Sequence, residues 1–216
     1  MSGHLPRWIF LKLLGITLIV ACVSFWTQAH GLVGEGGIVP ASEGLARLGV
    51  WLDEQGRSRW LAAPTLGWWG AGDAALTLLC LLGTVAGASL VAGIAPRLAL
   101  GLGWVAYLSL FHLGEPFLGY QWDILLIETL LVAIPYAPGG LRPQPGLAPP
   151  PHPVALWAVR LLLFKLIFSS GVVKLTSGDA TWADGTALDY HYWTQPLPHL
   201  GAGWPTRGRP GRGRSA

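Results

Sequence analysis

Five stretches of this sequence, residues 8–27, 69–95, 98–113, 117–136 and 154–175, are apolar over lengths close to the thickness of a lipid bilayer. A spanning helix takes about 20 mostly apolar residues, because the hydrocarbon layer is about 30 Å deep. Apolar content alone would also suit a large soluble core. The block arrangement favours the membrane, and so does a charged fraction of 12% against 52% hydrophobic, since soluble domains carry about 25% charge. The reading is an all-α, multi-pass transmembrane bundle with about five spanning helices.

Charge excludes a second class. The formal charge is +3, but Arg207, Arg209, Arg212 and Arg214 supply four positive charges near the end, and without them the balance is −1. No basic stripe interleaves with aromatics, so a nucleic-acid partner is not expected. Cys22 and Cys80 lie inside apolar blocks, where they act as small apolar residues outside any metal-ligand spacing.

Arg7 and Lys12 at the start of the first block favour a cytosolic N-terminus. A cleavable signal peptide is the competing reading, because Thr27-Gln28-Ala29 imitates a small-x-small site, but the apolar run is longer than a usual signal core. With the N-terminus inside, Arg97 and Arg142 fall in cytosolic loops, as the positive-inside rule prefers. Residues 29–68 and the segment after residue 175 then lie outside. Within the first of these, residues 42–52 carry Leu45, Leu48 and Leu52 at helical spacing and predict a short amphipathic helix. Gly83, Gly87, Ala88, Gly101 and Gly103 would let neighbouring helices approach closely. Trp68, Trp69, Trp104 and Trp122 stand near block ends, as interfacial belts require.

The last two blocks are not cleanly apolar. The fourth holds Gln121, Asp123 and Glu128; the fifth holds Arg160, Lys165 and Lys174. A charge at mid-bilayer costs about 2.5–3.5 kcal/mol on insertion scales, so such groups face the bundle interior and pair. Depth matching sets Glu128 against Lys165 and Asp123 near Lys174. The network reads as structural ion pairs, as a proton or substrate pathway, or as a recognition site. Gln121 and Glu128 share a helix face, and Asp123 points elsewhere.

No phosphate-binding loop, nucleophile elbow or H-E-x-x-H motif occurs. His112, His191 and His199 form no metal-ligand pair at helical spacing. Asp179, Asp184 and Asp189 read as turn chemistry on a loop. Neither a metal nor a cofactor is expected.

The string from Gly119 to Thr129, GYQWDILLIET, resembles the QWDxLLxET signature of the lipase maturation factor family. Arg160 to Lys165, followed by FSSGVVKL from Phe168 to Leu175, is similar to that family's next helix. Asp179 and Trp182, then Asp189, Tyr190, His191 and Gln195, fall in a stretch like the polar segment that follows it. The resemblance covers residues 5–198. After Pro198 the chain departs from the family pattern into an Arg/Gly/Pro-rich run, residues 199–216, of disordered composition. The departure reads as a frameshifted or premature end, leaving the membrane part of a longer protein.

The resemblance implies a membrane-embedded factor that assists folding and maturation of secreted lipase-type enzymes, without catalytic chemistry of its own. Its partners would be membrane lipids and a lipase-type client. The alternative is a membrane enzyme or transporter that uses the intramembrane carboxylates and lysines. Composition favours a bacterial inner membrane; a eukaryotic member would sit in the endoplasmic reticulum membrane.

Overall fold

The computed structural model describes residues 4–144 and 146–188. All regular elements among these residues are helical. The chain forms two compact units, Met1–Leu162 and Leu163–Ala216.

The first unit is built on α1 (His4–Val33), α4 (Asp73–Ala92), α5 (Pro96–Leu113) and α6 (Gln121–Tyr136), with α2 (Ala41–Glu54), α3 (Arg59–Ala62) and a 3-10 turn at Leu66–Trp69 in the long connection before α4. α1 packs on α4, α4 on α5, and α5 on α6. Each neighbouring pair is antiparallel. Lys12 near the start of α1 reaches the Leu90 and Val91 carbonyls at the end of α4, while His30 near the end of α1 bonds Thr77 at the start of α4. Arg97 at the start of α5 likewise donates to the Ala137 carbonyl just past α6. Leu18, Leu76, Leu90, Leu100, Leu110 and Leu130 are fully buried between these helices.

Close approach depends on glycine. A methyl built on Gly83 would collide with the Cys22 sulfur, and one on Gly103 would lie 2.6 Å from Leu18. Gly87 is equally tight, whereas Gly101 faces open space and Ala88 is exposed. The α4–α5 connection is only three residues long. Gly93 and Ala95 take positive φ values of 76° and 41° there, and Pro96 serves as the first residue of α5. The turn therefore lies just before the Pro-Arg pair, because the fixed φ of proline suits a helix start.

Among the described residues three helices are long and apolar enough to cross a membrane: α1, α4 and α7 (Pro153–Thr176), with mean hydropathies of 2.2, 2.1 and 1.8. α5 and α6 have 18 and 16 residues. At 1.5 Å per residue they reach about 27 and 24 Å, short of a 30 Å hydrocarbon layer. Leu13, Val20, Leu78, Val85 and Leu98 point outward, each more than half exposed. Large outward apolar faces on several helices suit lipid and would be a liability in water. The chain is a helical membrane protein; the expected count of five spans exceeds the three helices that qualify by length and composition.

The predicted amphipathic segment is α2, with Ala41, Leu45, Gly49 and Leu52 buried. Trp69 and Trp122 are well exposed near helix ends, as an interfacial role requires. Trp104 instead sits at the middle of α5, packed against the core. Trp68 is turned inward, its ring nitrogen donating to the Ala63 carbonyl at 2.8 Å.

In the second unit, α7 continues with Phe164 and Phe168 stacked at 5.3 Å. The helix ends at Thr176, whose hydroxyl donates to the Val172 carbonyl. Gly178 at φ 70° then turns the chain into the short α8 (Ala180–Ala183).

Candidate functional site

The sequence-predicted polar residues divide between the two units, with Gln121, Asp123, Glu128 and Arg160 in the first and Lys165, Lys174 and Asp179 in the second. Asp123 is the most buried of them, at 3% exposure. It occupies the third position of α6, where the helix dipole favours a carboxylate. One of its oxygens accepts the Tyr107 hydroxyl from α5 at 2.7 Å. The other accepts the backbone N–H of Tyr120 at 3.2 Å, which is the reach-back half of a capping box. Asp123 thus fixes the start of α6 and ties it to α5. Its hydrogen-bond partners are a neutral phenol and an amide rather than an opposite charge.

Gln121 and Trp122 are exposed at the same end of α6, where the rings of Tyr120 and Trp122 stack at 4.7 Å. Glu128 lies half-buried further along α6 and Lys165 lies on α7, and neither is without a partner. Arg160 places its guanidinium over Trp157 at 5.5 Å. Lys174 stands over Trp182 at 4.7 Å, a cation–π contact of the kind aromatic rings offer ammonium groups.

Asp179 caps α8, accepting from the Thr181 backbone N–H at 2.9 Å and the Thr181 hydroxyl at 2.8 Å. These bonds, the backbone one first, hold its carboxyl below the usual aspartate range. Asp189, Tyr190, His191 and Gln195, and the tail 199–216, lie outside the described residues. Among the described residues no group of three or more His, Cys, Asp or Glu side chains could hold a metal.

At the end of the bundle where α1 finishes, the long connection is organised by polar contacts. The Glu35 backbone N–H donates to Asp73 at 3.0 Å. Arg59 grips both oxygens of Asp53, its Nε at 3.0 Å, and lies over the Trp68 ring at 5.6 Å. The Arg59 hydrogen bond pulls the Asp53 carboxyl below its ordinary range. The Thr65 and Ser109 pair, both buried, anchors the 3-10 turn to α5, Ser109 accepting from the Leu66 N–H at 3.0 Å. The same end of the bundle holds a groove of about 560 Å³ between α2 and the α5–α6 loop, lined by Val39, Leu45, Leu48, His112, Leu113 and Glu115. The sequence reading did not foresee this groove. Its walls come from segments some 70 residues apart, and no single stretch carries its pattern.

The opposite end of the bundle is basic. Lys12 donates to the Leu90 and Val91 carbonyls, Arg97 to Ala137 at 3.0 Å, and Arg7 to the Pro149 carbonyl at 2.7 Å. The first two satisfy carbonyls that helix ends leave without partners.

Comparison with known proteins assigns this arrangement to a family. Residues 5–207 match the lipase maturation factor transmembrane domain. The chain is 44% identical to lipase maturation factor 2 of Gallus gallus over 89% of its length and 28% of that protein's. It is 41% identical to lipase maturation factor 2 of Homo sapiens, over 91% of its own length and 29% of the relative's. With lipase maturation factor 1 of Mus musculus it shares 30%, over 90% and 35%. The chain therefore spans about a third or less of the relatives it matches. No solved structure matches it. The chain belongs to the lipase maturation factor family, as a helical membrane protein carrying that family's transmembrane domain.

Proposed function

We propose that this chain is the membrane-embedded part of a maturation factor that assists the folding of secreted lipase-type enzymes. The observation that carries the reading is the family match over nearly the whole chain, joined to a groove on the side the charge pattern assigns to the non-cytosolic face. Residues 29–68 and 176–198 provide the client-facing surface. The chain contributes binding and positioning rather than bond-making chemistry, and its relatives carry maturation-factor names. The intramembrane residues Gln121, Asp123, Glu128, Arg160, Lys165 and Lys174 serve to fix helix placement. Composition favours a bacterial inner membrane and a eukaryotic host would imply the endoplasmic reticulum; the vertebrate relatives named above lend the bacterial setting no support.

The test is expression of the chain in cells that lack their own maturation factor but make a secreted lipase dependent on it. Secreted lipase activity is expected to rise several-fold over an empty vector. A chain that accumulates in the membrane yet restores nothing would overturn the reading. Glu128→Gln separates it from an enzyme or transporter reading: loss of activity at normal abundance would favour intramembrane chemistry, and loss of abundance a structural role.

A further inference from the structure

The basic end of the first unit contains a cleft between the start of α1, the α4–α5 turn and the proline-rich linker, lined among others by His4, Arg7, Trp8, Lys12, Pro96 and Gln144. Its free volume is about 50 Å³, several times the 10–15 Å³ that one water needs on the same measure. That is room for a group the size of a phosphate. Among the described residues no acidic side chain lines it. Arg7 and Lys12 supply two positive charges at its wall, and Arg97, beside Pro96, adds a third at the same end.

Arg7 is the telling residue. It is 95% buried, counting from its 5% exposure, and spends one guanidinium nitrogen on the Pro149 carbonyl at 2.7 Å. Its face lies over the Tyr136 ring at 5.7 Å. Among the described residues its Nε–H has no hydrogen-bond partner. A buried, charged donor without an acceptor is costly, and native structures seldom leave one so. An arginine fork of this kind matches phosphate oxygens in shape and charge. The starts of two helices, α1 and α5, border the same cleft, and helix N-termini favour anions.

Depth identifies the source of the phosphate. Arg7 and Lys12 lie within the first three turns of a 30-residue spanning helix, at the level where a headgroup meets hydrocarbon. Exposed Leu5, Trp8 and Ile9 surround that end with apolar surface suited to acyl chains. We propose that this cleft binds the phosphate of an anionic phospholipid from the cytosolic leaflet, with Arg7 as the principal ligand and Lys12 as the second.

Native mass spectrometry of the purified full chain, released from mixed micelles of phosphatidylglycerol and phosphatidylcholine, tests this. Phosphatidylglycerol should be retained roughly tenfold over phosphatidylcholine, and Arg7→Gln should bring the ratio near one. Lys12→Gln, at a less buried side chain, should lower the ratio part of the way and serves as the probe if Arg7→Gln does not fold. Equal retention of the two lipids by the unmodified chain, or an unchanged ratio in a folded Lys12→Gln chain, would overturn the proposal. Displacement of the lipid by millimolar inorganic phosphate would overturn the lipid source and assign the cleft to the free ion.

Discussion

Gly15 and Gly87 face each other across the α1–α4 contact so closely that a methyl built on either would lie 2.8 Å from the other's carbonyl oxygen. Both obstructions are backbone atoms, which cannot rotate aside. In a membrane, helix association draws little from the hydrophobic effect and depends on packing at this range. The pair therefore sets the distance between the first two long helices.

Gly87→Ala and Gly15→Ala should each destabilise the bundle by about 1–3 kcal/mol, the usual cost of overpacking. The double variant should cost less than the sum, because one displacement relieves both clashes. Gly101→Ala, where the added methyl meets nothing within 4 Å, should be neutral or stabilising by up to about 1 kcal/mol. Denaturant titration in detergent, followed by circular dichroism, measures all four. Equal losses at Gly87 and Gly101 would contradict the packing account.

The bond from Tyr107 to Asp123 invites a second measurement. Tyr107→Phe leaves a buried carboxyl short of a donor and should cost about 1–3 kcal/mol. Asp123→Ala should cost at least as much, since it also removes the bond to the Tyr120 amide. Because the two bond each other, the double variant should fall well short of additivity. Strict additivity in the same titration would show that the bond carries no coupling.

Outside the membrane, the Asp53–Arg59 pair predicts a pH effect. The Arg59 hydrogen bond depresses the Asp53 carboxyl, so the folded state binds that proton less readily than the unfolded chain. Its contribution is present above the unfolded value of about 3.9 and fades as pH falls through the lower folded value. Carbon-13 NMR of the Asp53 carboxyl should give a midpoint below about 3.9, and Arg59→Gln should move it back toward that value. A midpoint unchanged by Arg59→Gln would contradict the pairing. Both groups are exposed, so the effect on global stability should be small.

Much of this arrangement is legible in the sequence, and the exceptions share physical causes. Apolar block length located α1, α4 and α7, because a spanning helix must be apolar around its whole circumference. The same signal overestimated the fourth block. Phe117 and Leu118 are apolar because they pack on the core from the α5–α6 loop, and the helix begins only at Gln121. Gly87 stood out among small residues, but its partner Gly15 is an isolated glycine in a leucine-rich run, and only the three-dimensional contact gives it meaning. Asp123 was recognisable as a buried charge. Its partner Tyr107 was not, because a phenol sixteen residues upstream carries no sign of its role. Arg7 read only as a topology signal, and its burial depends on the linker that folds back over it.

The central claim is that α1, α4 and α7 cross a bilayer with the basic end of the bundle on the cytosolic side. Cys22 and Cys80 are buried, so single cysteines can be introduced against a quiet background at exposed Ser58, Glu115 and Leu147. Sealed cells are then treated with a membrane-impermeant maleimide before and after permeabilisation. Ser58→Cys should label in sealed cells, and Leu147→Cys only once the membrane is opened. Glu115→Cys should label from outside together with Ser58→Cys, because its loop borders the same groove as α2. Labelling of Ser58→Cys and Leu147→Cys from the same side would contradict the account.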